Sequence, residues 1–128
     1  MADWIGSARS NYFKVKDIER YKAFCDIWDV KPFTEDGSVG FLCEGGLPSF
    51  REDDDGKKYE FDDFLNELSG LLEESEVAIM MEIGAEKLRY VTGVAIAINS
   101  KGERREVQLY DIYGHAKKLG ANVTAVEY

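Results

Sequence analysis

Histidine, cysteine and proline are nearly missing from this sequence, which holds one His, two Cys and two Pro among 128 residues. With His115 alone, no metal site can draw on two imidazoles, and any acid–base histidine would work unaided. Cys25 and Cys43 lack CxxC spacing, so neither a zinc motif nor a redox pair is written in the chain. Cys25 falls on an expected helix and Cys43 in an apolar stretch, and both read as small buried hydrophobes; a disulfide is unneeded at this length. No apolar run approaches the roughly 20 residues that span a bilayer. Residues 1–10 lack a basic stretch leading into an apolar one, so no secretory leader is expected there. These absences set the expectation of a cytoplasmic protein without membrane contact.

The motifs of catalysis are missing too. No serine sits in a GxSxG elbow, and neither cysteine is marked as a nucleophile. Gly45-Gly46 and Gly37-Ser38-Val39-Gly40 lack the Lys-Ser/Thr that completes a phosphate loop. The acidic run Glu52-Asp53-Asp54-Asp55-Gly56 fails as a calcium loop. With Gly56 in the sixth place, Arg51 opens the loop where a carboxylate is required. No catalytic, metal or cofactor residue is therefore assigned, and the expectation is a protein that is not an enzyme.

What is present is globular composition, 45% hydrophobic and 12% aromatic, in a length that suits one domain over residues 1–128. The net charge is −9, and it is unevenly spread. Residues 1–33 carry +1, residues 34–86 carry −13 and residues 87–128 carry +3. Such a field repels nucleic acid and anionic membrane and attracts basic surfaces. Lys101, Arg104, Arg105, Lys117 and Lys118 could form a modest positive patch, but Glu103 and Glu106 interrupt it, so no direct nucleic-acid contact is expected.

Patterning gives the architecture. Asn11 to Lys16 reads as a strand, and Asp17 as the N-cap of a helix whose apolar positions, Ile18, Tyr21, Phe24, Cys25 and Trp28, share one face. Val30 to Phe33 reads as an extended piece ending at the Glu35-Asp36-Gly37 turn. Ser38 to Cys43 is the next strand, and Asp54-Asp55-Gly56 turns a hairpin between Ser49–Glu52 and Lys57–Glu60. Phe61, Phe64, Leu65, Leu68, Leu71 and Leu72 form the clearest helical stripe, with acidic residues in its first turn. Val77, Ile79, Met81 and Ile83 alternate onto one strand face. Lys87 to Ile98 reads as a long strand that Gly93 kinks or bulges, with an alanine face expected to lie against a helix. A hairpin at Asn99–Gly102 leads into Arg104–Leu109. Asp111 can cap a last helix bearing Ile112, His115, Ala116 and Leu119, stopped by Gly120, and Val123–Tyr128 reads as a closing strand. The expected fold is α+β, a largely antiparallel sheet with about three helices on one face, in the order β-α-β-β-β-β-α-β-β-β-α-β.

The expected partner is a protein with a basic surface. The residues placed to meet it are Glu52, Asp53, Asp54, Asp55, Asp62, Asp63 and Glu67, extended by Glu73, Glu74 and Glu76. In size, acidity and lack of an active-site motif the chain resembles the small acidic inhibitors of phages and plasmids, of the anti-CRISPR and antirestriction type. That resemblance is one of class, covers no aligned segment and assigns no residue a role. It implies an inhibitor that occupies a basic, nucleic-acid-binding surface of another protein. A bacterial immunity protein or antitoxin fits the same features. The alternative is an enzyme or small-ligand binder without a linear motif, its pocket formed by Gly45-Gly46, the long strand and His115. The oligomeric state is open, since edge strands could pair across a two-fold axis.

Overall fold

A computed structural model describes residues 4–86 and 90–126 of the chain. Its strands and helices run β1 (Trp4–Ser10), α1 (Ile18–Trp28), β2 (Lys31–Glu35), β3 (Ser38–Glu44), β4 (Phe50–Glu52), β5 (Lys58–Glu60), α2 (Phe61–Leu71), β6 (Val77–Glu86), β7 (Tyr90–Asn99), β8 (Arg104–Gln108) and α3 (Ile112–Ala116). A short 3-10 turn, Leu109–Asp111, precedes α3. Six strands make one sheet in the order β2-β3-β1-β6-β7-β8, and every neighbouring pair is antiparallel. β4 and β5 form a separate hairpin. The α+β class and the order of elements from first strand to third helix are those the patterning implies.

The sheet has an inner and an outer face. Val39, Phe41 and Cys43 of β3, Ala8 of β1, Met80 of β6 and Ile96 and Ile98 of β7 point inward and are buried. α1 and α2 cover that face through Tyr21, Phe24, Cys25 and Trp28 on one helix and Phe64, Leu65 and Leu68 on the other. Phe64 is the hub: its ring stacks on Phe24 at 5.1 Å and meets Trp28 and Phe41 edge-on at 5.4 and 5.7 Å. These offset and T-shaped geometries are the favourable ones for aromatic pairs. Two local devices start the helices. The Asp17 carboxylate accepts from the amides of Glu19 and Arg20 at 2.9 and 3.2 Å. Glu60 and Asp63 form a reciprocal capping box at α2.

Several expectations are corrected. The first strand is Trp4–Ser10, while Phe13 and Val15 make only isolated bridges to Val39 and Leu72. Asn11 ends the strand by substituting its side chain for backbone: it accepts from Ile79 N–H at 2.8 Å and donates to the Val77 carbonyl at 3.2 Å. β1 was obscured because its Gly6, Ser7 and Ala8 are small and carry no hydrophobic alternation. The β6–β7 register is continuous, so Gly93 makes no bulge. A Cβ there would lie 2.9 Å from Leu109, and the glycine instead lets that leucine settle on the sheet. Of the expected strand Lys87–Ile98, residues 87–89 lie outside the described residues. Residues 123–126 of the expected closing strand are irregular, and 127–128 lie outside the described residues.

The third helix does not join the other two. It has five residues, none of them buried, and Leu119 beyond it is 92% exposed. Asp111 is not its side-chain cap; its carboxylate accepts from Gln108 N–H at 2.8 Å and closes the turn ahead of the helix. Two helices, not three, therefore cover the inner face.

Candidate interaction surfaces

The ten acidic side chains of the expected contact divide into two sets. Asp53 is consumed by its own hairpin, where Oδ1 accepts from the amides of Lys57 at 2.9 Å and Asp55 at 3.0 Å. The Tyr59 hydroxyl donates to Oδ2 at 3.4 Å. The Lys57 amide, followed by the Asp55 amide and Tyr59, holds this carboxyl below its ordinary 3.8. Asp62 pairs with Arg104 at 2.8 Å, and Arg104 also donates to Asn66 at 2.9 Å, which ties β8 to α2. Asp63 accepts from Glu60 N–H at 2.8 Å in the capping box. Glu67 accepts from the Trp28 indole at 3.0 Å, and Glu76 accepts from Lys14 N–H at 2.7 Å. These five hold the fold together.

Glu52, Asp54, Asp55, Glu73 and Glu74 are exposed, and their carboxylates make no hydrogen bond or ion pair within the described residues. The first three stand on the β4–β5 hairpin, the last two follow α2. The 11 residues of the helix separate the groups by about 16 Å at 1.5 Å per residue. The hairpin itself is anchored by Arg51, whose guanidinium lies between Tyr59, 3.8 Å from its ring centre, and Trp28, 4.7 Å from its own. Its tip is thus presented from a fixed base.

The basic residues of the last third do not form one patch. Arg104 is engaged with α2, and Arg105 turns back to the Arg104 carbonyl at 3.1 Å. His115 is exposed rather than packed, and it borders an open cleft of about 490 Å³ with Val91, Val107, Leu109 and Tyr113. Gly45 and Gly46 do not line this cleft. The two thiols are buried, and burial pushes Cys25 up to about 11 and Cys43 up to about 12. Beside them Tyr21 is fully buried with no hydrogen-bond partner for its hydroxyl, and burial, first of all, raises its ionisation above the usual phenol range.

The outer face of the sheet is the surface that patterning misread. The alternation of Val77, Ile79, Met81 and Ile83 is real, but it builds the face that α1 and α2 leave uncovered. Met81 is 58% exposed and Ile83 63%, while Met80 between them is fully buried. The alanine face of β7 lies on this outer side too, with Ala95 paired to Met81 and Ala97 to Ile79. Val94, Ile96 and Ile98 are the residues that face the helices, so the expectation that the alanines lie against a helix is reversed. Val91, Val107 and Leu109 continue the outer apolar area, each more than half exposed. Among the described strand residues, the charged positions sharing that face are Arg9, which pairs with Met81, Arg105, which pairs with Ala97, and Lys31, Glu35 and Glu44 further out.

Among the described residues, no group of three or more His, Cys, Asp or Glu side chains is placed to hold a metal ion. No helix among them is long and apolar enough to cross a membrane. No protein-family model, curated protein or solved structure matches the chain.

Proposed function

We propose that this protein is a non-enzymatic binding module whose free carboxylates occupy a basic surface on a partner protein. It would act as an inhibitor, like the anti-CRISPR and antirestriction proteins it resembles in size and charge. The observation that carries this reading is the set of five exposed carboxylates with no internal work to do. The other five acids of the same surface, Asp53, Asp62, Asp63, Glu67 and Glu76, serve as turn locks, caps and strand ties. Glu52, Asp54 and Asp55 at one end of α2, and Glu73 and Glu74 at the other, span a distance that suits a macromolecular surface rather than a small ligand. A fixed hairpin base lowers the ordering cost of such a contact.

The test is charge reversal confined to residues without structural roles. D54K/D55K and E73K/E74K variants, with circular dichroism to verify the fold, are used as bait in host-cell lysate at low and high salt. Capture of a basic protein by the wild type should fall as salt rises and be lost in the reversed variants. Capture that survives both reversals would remove the acidic surface from the account.

A further inference from the structure

We propose that the uncovered face of the sheet is a dimer interface in which two copies of this chain pack face to face across a two-fold axis. The proposal does not depend on the acidic surface, which lies on the hairpin and helix side of the molecule.

The pairing of β6 with β7 carries the argument. On the outer face each directly opposed couple joins a large residue to a small one: Ile79 to Ala97, Met81 to Ala95, Ile83 to Gly93 and Ala85 to Val91. β6 is therefore a ridge through its centre and β7 a lane beside it. At Ala85 and Val91 the two roles exchange. A two-fold axis parallel to the strands and midway between β6 and β7 preserves the height of every residue. It sets β6 of one copy over β7 of the other. Met81 then meets Ala95 of the second copy, and Ile79 meets its Ala97. Large side chains enter small-residue positions on both sides at once, which is the self-complementarity an isologous contact requires. Twisted sheets pack about 10 Å apart and cross at about 30°, so the match is best at the Met81–Ala95 centre. A hollow of about 210 Å³ lies there, lined by Met81, Ile83, Ala95, Val107 and Leu109, and it can receive the second Met81. Above Gly93 the space is already filled by Leu109 of the same chain, which closes that end of the hollow.

Three further observations select a second copy. The exposed parts of Ile79, Met81, Ile83, Val91, Val107 and Leu109 sum to on the order of 600 Å². That is at the upper end for the largest patch on a monomer and close to the roughly 800 Å² that one partner contributes to a standard interface. The chain carries −9, so two copies repel unless they meet where the excess is absent. The described strands of the outer face have that property, with three basic and two acidic positions, and Arg9, beside Met81, leans away onto the Phe33 ring at 5.1 Å. The free edges offer little to strand addition: β2 contains Pro32, and β8 begins Arg104-Arg105-Glu106.

Sedimentation equilibrium over roughly 1–100 μM, with the association constant read from the concentration dependence, tests the proposal. The wild type should approach twice its 14.5 kDa chain mass. Met81→Lys, at an exposed position, should keep its circular dichroism and weaken association by about 100-fold or more, because it places a charge at the centre of the contact. A second experiment locates the axis independently. Met81→Cys should cross-link to itself with a short bis-maleimide, since β6 passes close to its mate. Leu42→Cys, also exposed on the outer face but two strands further out, should not. A chain that stays monomeric throughout, a dimer that survives Met81→Lys, or cross-linking as efficient at position 42 as at 81 would each overturn the proposal.

Discussion

Met80 and Met81 are adjacent, chemically identical and assigned to opposite faces of β6, so truncating each to alanine isolates burial as the variable. Met80 is fully buried beneath the two helices, and Met81 is 58% exposed. Removing a buried methionine side chain loses its transfer free energy and leaves a cavity, so Met80→Ala should cost about 2–5 kcal/mol. Met81→Ala loses contacts that are mostly with water in the isolated chain and should change stability by less than about 0.5 kcal/mol. The comparison belongs at low protein concentration, where association contributes little. Urea unfolding followed by circular dichroism gives both values, and equal slopes for the two variants would show that the unfolding reaction itself is unchanged. Because strand periodicity is two, a one-residue slip of register would exchange the two methionines. Equal costs, or a larger cost at Met81, would therefore refute the assignment of inner and outer faces.

The remaining expectations concern single groups. Asp53 is held below its ordinary 3.8 chiefly by the Lys57 amide, so its contribution to the hairpin is present above that value and is lost as pH falls through the lowered one. Protection of the Asp55 and Lys57 amides from hydrogen exchange, corrected for the intrinsic exchange rate at each pH, should show this loss in the wild type, and Asp53→Asn should remove the pH dependence of that protection; an unchanged protection profile in the variant would contradict it. Cys25 and Cys43, buried and with thiols raised to about 11 and about 12, should resist Ellman's reagent near pH 8 until the protein is unfolded, when both react. Rapid labelling of the native protein would mean that the helix-side core is open.

The elements most legible in the sequence were those whose signals are local. The α2 stripe, the Asp17 cap and the Asp-Gly turn each depend on residues within one or two turns of chain, and each stands where patterning puts it. β1 was hidden because its identity is set by the strands on either side: Ala8 faces the core, and its strand pairs with β3 and β6 at once. The outer face was misjudged for a related reason. Alternation shows that Val77, Ile79, Met81 and Ile83 share a side but not which side meets the helices. That is decided by where the helices pack, and it is Ala78 and Met80 that enter the core beneath them. The acidic surface was legible as charge and illegible as chemistry. Nothing in a linear reading separates Asp53, locked to two amides, from Asp54, which bonds to nothing.

The two-sided reading of β6 can be measured directly in methyl-labelled protein, by NMR in the presence of a soluble paramagnetic chelate. The account predicts that the Met80 methyl signal is shielded under every condition. The Met81 signal should broaden in the dilute chain, and in Ile83→Lys at any concentration, and become shielded as the wild type is concentrated. A Met80 methyl open to the chelate, or a Met81 methyl equally accessible in the concentrated wild type and in Ile83→Lys, would contradict it.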